Sequence, residues 1–314
     1  MGWLVPGVVV LFDFLLPAAL FLWMLKTRAA SRLYFASIAA LTLLVLVALK
    51  WSVLGFWYAV GSFWPLIYGV LFVAILYRRF HQGLPVLRSP RRGSKELALT
   101  GLNVVLGAAW ALTIPYLLQA RHYPVERVQL AAPLRNSTYF VISGGSNFTV
   151  NQHLGSRWDR YALDITRLNA LGLRAFGFFP GELSDYAVFG AEVVAPCSGE
   201  VLAVETNLPN RRPLDPDAGQ RAGNHVVVYC QGHSILLAHM NPGSISVKAG
   251  DRVVSGQPLG TVGNSGNTIE PHLHIGAIRG RYDYTEASRP PGGVNAVPIL
   301  IDGASLIRAD SFGH

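Results

Sequence analysis

Four long runs of apolar residues fill the first 120 positions of the chain. They cover residues 3–25, 33–49, 51–77 and 97–120, and Asp13 is their only charged residue. A helix needs about 20 apolar residues to cross the hydrocarbon core of a bilayer. The pattern therefore predicts a transmembrane anchor of about four α-helices over residues 1–120. An acid inside a span is often functional, although Asp13 could also simply face a neighbouring helix or a polar pocket.

Residues 121–314 show short strand-like runs instead, which are typical of a mainly antiparallel β domain. Residues 121–150 are predicted as a linker that leads into strands, since "TYFVISGG" is rich in β-forming residues and ends in a Gly pair. Further strands are predicted in "EVVAPCSGEVLAVET", "NHVVVYC", "SILLAHM", "DRVVSGQPLGTVG" and "HLHIGAI". The Pro-, Asp- and Arg-rich residues 207–223 read as a long surface loop, either a wall of a site or a mobile excursion.

The charge of the chain follows the same division. Residues 1–120 carry ten Lys/Arg and two acidic residues. From residue 121 onward, sixteen Lys/Arg and sixteen Asp/Glu give a net charge of zero. The net charge of +8 is therefore juxtamembrane and does not indicate nucleic-acid binding. Positive residues concentrate in the first and third connections between the apolar runs, which the positive-inside rule assigns to the cytoplasm. The N-terminus and everything after residue 120 are then expected outside.

The chain has two cysteines, Cys197 and Cys230, and both lie in the half that is expected outside. An oxidising compartment permits a disulfide bond between them. Their distance does not follow from the sequence, so a disulfide and two buried free thiols both remain open.

The first candidate site residues lie in "PHLHI", in which His272 and His274 flank one leucine. Residues at i and i+2 of a strand point to the same face, which suggests a metal site. A catalytic zinc normally has three protein ligands, so the pair needs a partner. In "RYALDI", alternation predicts that Asp164 lies opposite the apolar face of its strand. From the residues alone, this acid could be a ligand, an ion-pair partner of Arg160 or Arg167, or exposed.

Several ordered motifs together resemble the lysostaphin/LytM-like zinc metallopeptidases, which cut peptide bonds in bacterial peptidoglycan. They are "YALD", "GNHVVV", "LLAHM" and "VKAGDRVVSGQPLGTVGNSGNTIEPHLHI", and the resemblance covers residues 140–300. It implies a LytM-type β peptidase domain with one Zn²⁺ per chain and peptidoglycan peptides as substrate. Combined with the apolar runs, it implies a multi-pass zinc metalloendopeptidase of the bacterial cytoplasmic membrane. Its peptidase domain would lie on the extracytoplasmic side, with the lipid bilayer as its other partner.

The family signature is H-x-x-x-D, then a lone His in a later strand, then H-x-H. By this resemblance Asp164 and His274 are metal ligands. His239 corresponds to the lone His and His272 to the first His of the closing pair, and both are catalytic in the family.

One position departs from this signature, because Arg160 stands where the family has its first histidine. Arginine has no free acceptor and cannot bind zinc. We assign His153 as the third metal ligand. His225 and His233 are rivals, although the "QGHS" turn favours a solvated His233. The departure also leaves an alternative function, a non-catalytic LytM-like module that binds cell wall or activates other hydrolases.

Overall fold

The chain folds into two compact units, one of Val5–Leu118 and one that includes Gln119–His314. The first unit is helical and the second is built mainly from strands, which confirms the predicted fold class. The computed structural model describes residues 4–27, 32–52, 55, 61, 63–83, 94–123, 125–156, 158–216, 219, 221–284 and 296–313.

Apolar helices make up the first unit. They are α1 (Leu4–Val9), a π-helical segment (Val10–Leu15), α2 (Leu16–Lys26), α3 (Arg32–Trp51), α4 (Trp64–His81) and α5 (Ser94–Gln119). Among the described residues, three helical segments are long and apolar enough to cross a membrane: Leu4–Lys26, Arg32–Trp51 and Lys95–Gln119. Part of the predicted span 51–77 lies outside the described residues, and α4 begins only at Trp64. The count of four spans stays a prediction.

Asp13 lies in the π-helical segment, where it is buried. Its backbone carbonyl accepts hydrogen bonds from Trp64 Nε1 at 3.4 Å and from the Tyr68 hydroxyl. Single π-helical turns are frequent at functional sites. These contacts place the Asp13 backbone beside two aromatic residues inside the helical unit.

The second unit, which we call the β domain, contains one large sheet and two small ones. Its strands are β1 (Val128–Leu130), β2 (Tyr139–Ser143), β3 (Leu163–Arg167), β4 (Glu192–Val194), β5 (Gly199–Glu205), β6 (Asn224–Cys230), β7 (His233–Met240), β8 (Arg252–Val253), β9 (Pro258–Thr261), β10 (Leu273–Arg279), β11 (Ile299–Ile301) and β12 (Ser311–Phe312). The large sheet is antiparallel, in the order β12-β2-β3-β10-β7-β6-β5-β8. β4 pairs with β9, and β1 runs parallel to β11.

The main hydrophobic core covers one face of the large sheet. Alternate residues of the central strands pack into this core: Leu163 and Ile165 of β3, Leu273 and Ile275 of β10, and Ile235 and Leu237 of β7. The period of two along a strand sends the intervening residues to the other face. Asp164 and His274 are among these residues, as the alternation in the sequence predicts. They remain buried, at 1% and 6% exposure.

Cys197 and Cys230 form a disulfide bond with a Cα–Cα distance of 6.4 Å. Cys197 precedes β5 and Cys230 ends β6, so the antiparallel pairing of these two strands brings the cysteines together. The structure thereby decides between the two alternatives that the sequence left open.

We expect the disulfide to stabilise the β domain, because it closes a loop with a sequence separation of 33. A crosslink over a loop of this size removes unfolded-state entropy worth about 3–4 kcal/mol. Reduction should therefore lower the midpoint of thermal unfolding by about 10 °C. The measurement is a melting curve of the purified chain with and without a thiol reductant. The double variant Cys197→Ser, Cys230→Ser is the control and should no longer respond to the reductant. An unchanged midpoint on reduction would contradict the prediction.

Candidate functional site

The pairing of β10 with β3 places two candidate ligands face to face. His274 lies directly opposite Asp164 in this register, and the residue opposite His274 on β7 is the small Ala238. His274 Nδ1 is 2.8 Å from Asp164 Oδ1. Since both side chains point away from the main core, the register alone sets a carboxylate beside an imidazole on the second face of the sheet.

His153 reaches the same carboxylate from a short 3₁₀ turn, Gln152–Gly155. The turn is capped by Asn151, whose side-chain oxygen accepts from His153 N at 2.8 Å. His153 Nε2 is 2.7 Å from Asp164 Oδ2, and the His153 and His274 rings are 4.9 Å apart. Candidate ligand atoms of His153, Asp164 and His274 all lie within 4.8 Å of one another. The structure thus brings the three predicted metal ligands together, whereas the Arg160 side chain is exposed.

His239 and His272 lie beside this group. Ligand atoms of His239, His272 and His274 also fall within 4.8 Å of one another, and the His239 and His272 ring centroids are 4.8 Å apart. The backbone of His239 has φ +63°, a value that residues other than glycine rarely adopt. It sits next to the irregular pairing of β6 with β7 between Asn224 and Val226. Such bulges commonly redirect a side chain next to a site.

Backbone carbonyls orient both of these histidines. His239 Nδ1 is 2.9 Å from the Ser265 carbonyl oxygen, and His272 Nδ1 is 2.8 Å from the Glu270 carbonyl oxygen. A carbonyl only accepts, so Nδ1 carries the hydrogen in each ring. Nε2 is then an acceptor where the ring is neutral and a second donor where the ring is protonated. The Nε2 atom of His272 faces the site, 3.5 Å from Asp164 Oδ1.

The protonation states follow from burial and from neighbouring charges. Burial raises the pKa of Asp164, but the charges and hydrogen bonds of His153 and His272 outweigh it and hold this pKa well below its usual value. Burial, with His272 and His274 nearby, lowers the pKa of His239 well below its usual value. For His272, burial lowers the pKa but the Asp164 charge raises it above the usual value. Asp164 is therefore ionised and His239 neutral at neutral pH.

The pKa of His274 rises to about 10, because hydrogen bonds to Asp159 and Asp164 outweigh the lowering by burial. Burial raises the pKa of Asp159, but the hydrogen bond and charge of His274 outweigh it and lower this pKa below its usual value. Asp159 thus joins the cluster as a second carboxylate.

A buried ion pair supports the segment that carries His272. Arg174 Nε donates to Glu270 Oε2 at 2.7 Å, and the Arg174 and Glu270 side chains are 1% and 6% exposed. The Glu270 carbonyl accepts from both Thr268 Oγ1 and His272 Nδ1. The pair therefore fixes the residue whose carbonyl orients the His272 ring.

The described residues of the predicted loop 207–223 lie against the segment that precedes His272. Arg211 N donates to the Asn264 carbonyl and Leu214 N donates to the Ile269 carbonyl, both at 2.8 Å. The loop thus runs alongside residues 264–269, immediately before His272.

The two rival histidines lie elsewhere. His225 is in β6 with its Nδ1 2.8 Å from the Gly223 carbonyl oxygen, and His233 begins β7. Within the described part of the chain, neither belongs to a group that could hold a metal ion. The expectation of a solvated His233 is wrong. His233 is only 7% exposed, because its pairing with Arg279 of β10, rather than the preceding turn, decides its position.

Two further polar contacts at the site were not predicted. Gln152 Nε2 donates to Asp164 Oδ2 at 3.0 Å, and Asp159 Oδ1 is 3.3 Å from His274 Nε2. Both residues lie in the polar stretch between residues 145 and 169, where nothing in the spacing distinguishes them from their neighbours. Asp164 is distinguished in this stretch by the apolar residues that alternate with it and by its match to the family motif.

The donor set suits a divalent metal ion. It consists of two imidazoles and one ionised carboxylate, with two more histidines alongside. Buried charges need such partners, and metal coordination is one of the usual ways in which proteins provide them.

Sequence comparisons found similarity to known peptidases. Residues 184–286 match the sequence profile of Peptidase family M23. The chain is 41% identical to the peptidoglycan DD-endopeptidase ShyA of Vibrio cholerae over an aligned segment of 86 residues. This segment covers 27% of this chain and 17% of ShyA. The chain thus matches well under two thirds of that relative's length.

Solved structures with some likeness include two peptidases. One is lysostaphin from Staphylococcus simulans, at 22% identity over 36% of this chain and 44% of that chain, with a TM-score of 0.22. The other is a putative M23 peptidase from Pseudomonas aeruginosa, at 18% identity over 62% of this chain and 61% of that chain, with a TM-score of 0.29.

The residues that match the family profile include His239, His272 and His274, while His153 and Asp164 precede them. Three of the four motifs that resemble the lysostaphin/LytM-like enzymes lie within this match and "YALD" precedes it, so the β domain is LytM-like and matches Peptidase family M23 over residues 184–286.

Proposed function

We propose that this protein is a membrane-anchored zinc metalloendopeptidase that hydrolyses peptide bonds of peptidoglycan. The observation that carries the proposal is that His153, Asp164, His239, His272 and His274 form two groups of potential metal ligands that share His274. A degenerate binding module would have little reason to keep these two adjoining groups of side chains.

The residues fit a catalytic zinc. His153, Asp164 and His274 offer two nitrogens and one oxygen, and catalytic zinc sites typically use three such protein ligands with a fourth position left for water. A zinc ion bound there would polarise the scissile carbonyl and bring the pKa of a bound water to about 7. Gln152, which donates to Asp164, would hold that carboxylate in place.

His239 and His272 would carry the proton and hydrogen-bonding steps. Their Nδ1 atoms are occupied by backbone carbonyls, so Nε2 is the atom that can act on substrate. One ring would accept the proton of the attacking water through Nε2. The other would hydrogen-bond to the oxygen of the scissile carbonyl as negative charge develops there, or pass a proton to the leaving amine. General acid–base help of this kind is typically worth about 10²–10⁴-fold.

Peptidoglycan is the proposed substrate class, supported by the likeness to a peptidoglycan DD-endopeptidase. The three apolar helices support an anchor in the cytoplasmic membrane. The Cys197–Cys230 disulfide supports an extracytoplasmic position for the β domain, since disulfides persist in oxidising compartments. A domain held there would sit beside the cell wall.

We expect the purified full chain in detergent to bind about one zinc ion per chain and to release new amino groups from purified peptidoglycan. A chelator should abolish this release and added zinc should restore it, because the ion polarises the scissile bond. Metal analysis and an amine assay measure the two effects. A folded chain that holds no zinc and releases no amines would instead indicate the non-catalytic module.

His153→Ala tests the ligand that replaces the usual histidine. We expect zinc affinity to fall by more than about 100-fold, since loss of a direct ligand should exceed the 10–100-fold typical of residues that only orient one. The measurement is a competition titration against a chromophoric chelator. His225→Ala is the matched control, because it removes another partly buried histidine of the same domain outside the cluster. Equal affinities for the two variants would remove His153 from the site.

His239→Ala and His272→Ala separate catalysis from metal binding. Each should lower kcat by about 10²–10⁴-fold while about one zinc per chain remains bound, because neither residue is a proposed ligand. The assays are the amine release and the metal analysis described above. Loss of zinc in either variant would reassign that histidine as a ligand.

A further inference from the structure

His274 has a carboxylate on each of its two ring nitrogens. Asp164 Oδ1 is 2.8 Å from Nδ1, and Asp159 Oδ1 is 3.3 Å from Nε2. Asp164 comes from the neighbouring strand β3, whereas Asp159 comes from the turn that precedes this strand. The two acids therefore contact opposite sides of the same ring.

The Asp159 carboxylate is held in place by its own turn. Ser156 Oγ donates to Asp159 Oδ2 at 3.3 Å and accepts from Asp159 N at 3.1 Å. The Asp159 carbonyl accepts from Ala162 N at 2.8 Å. These bonds fix both the backbone and the side chain of Asp159 and aim its other oxygen at His274.

Gly276 provides the space for this contact. It follows His274 on the same face of β10, and a Cβ atom there would lie 3.4 Å from Asp159 Oδ1 and 3.8 Å from His274 Nε2. A methyl group would just make van der Waals contact with both atoms, and a larger side chain would push them apart. The strand thus leaves room for a carboxylate to approach the ring.

A carboxylate only accepts, so the contact with Asp159 requires a hydrogen on His274 Nε2. The contact with Asp164 requires a hydrogen on Nδ1 in the same way, so the ring carries both hydrogens until a metal ion replaces the one on Nδ1, the atom that faces Asp164 and His153. Asp159 then keeps the remaining hydrogen on Nε2. Carboxylates that accept from the far nitrogen of a metal-ligating histidine fix its tautomer and orientation and raise its basicity.

We propose that Asp159 is a positioning residue that holds His274 with Nε2 as donor and Nδ1 as metal ligand. This inference rests on the proposed zinc site, and among the described residues Asp159 belongs to neither group that could hold a metal ion. It lies outside residues 184–286, which match the M23 profile, and its role comes from the described contacts alone.

The test is the zinc affinity of the full chain in detergent, measured by competition with a chromophoric chelator. Asp159→Ala should weaken the affinity by about 10–100-fold. Asp159→Asn should fall in between, because its amide oxygen still accepts the hydrogen bond but carries no charge. Glu182→Gln is the matched control, since it removes an exposed carboxylate of the same domain and should leave the affinity unchanged.

A second readout reports on the ligand itself. With Co²⁺ in place of zinc, the d–d absorption spectrum should change in Asp159→Ala and change less in Asp159→Asn, while Glu182→Gln should match the wild type. If Asp159→Ala fails to fold by circular dichroism, Asp159→Asn and Ser156→Ala still test the contact, and each should weaken zinc binding.

The outcomes separate the two proposals. Wild-type chain that binds zinc, together with Asp159 variants within about twofold of its affinity and with its cobalt spectrum, would overturn the positioning role and leave the peptidase proposal intact. Wild-type chain that binds no zinc would overturn both.

Discussion

The pairing register of β10 with β3 is the constraint on which the site depends. It sets His274 opposite Asp164 and turns both away from the main core, while Leu273 and Ile165 fill that core. A slip of one residue would exchange the two faces, because side chains alternate along a strand. Asp164 would then enter the apolar core, and an aliphatic residue would take its place at the site. The packing of the core and the geometry of the site are therefore set by the same register.

Burial of Asp164 would be costly if its charge stood alone. His153 and His274 contact its two oxygens, Gln152 donates to one of them, and His272 approaches the other. Local hydrogen bonds hold these neighbours in turn. The Asn151 side chain accepts from His153 N, and the Glu270 carbonyl accepts from His272 Nδ1. The surrounding elements thus supply both the partners of the charge and their orientation. This is the rigid support that precise ligation and proton transfer need.

Local sequence patterns predicted much of the architecture. Long apolar runs indicated the helices, short alternating runs indicated the strands, and ordered motifs identified the residues that converge on Asp164. The positive φ of His239 and the burial of His233 were not readable, because each follows from strand pairing between distant segments. Asp159 was missed for a related reason. Its partner His274 is 115 residues away, and nothing in the spacing of a polar turn marks such a contact.

By itself, the sequence determined the order of an apolar helical unit and a β domain, the face on which Asp164 lies, and the histidines worth considering. These features depend on periodicity and on short motifs, which are local properties of the chain. Only the tertiary structure decided that the cysteines meet, that His153 rather than His225 or His233 reaches Asp164, and that Asp159 contacts His274. Such contacts require a sheet register and turn conformations that form only when distant segments pack together, and no local pattern encodes that distance.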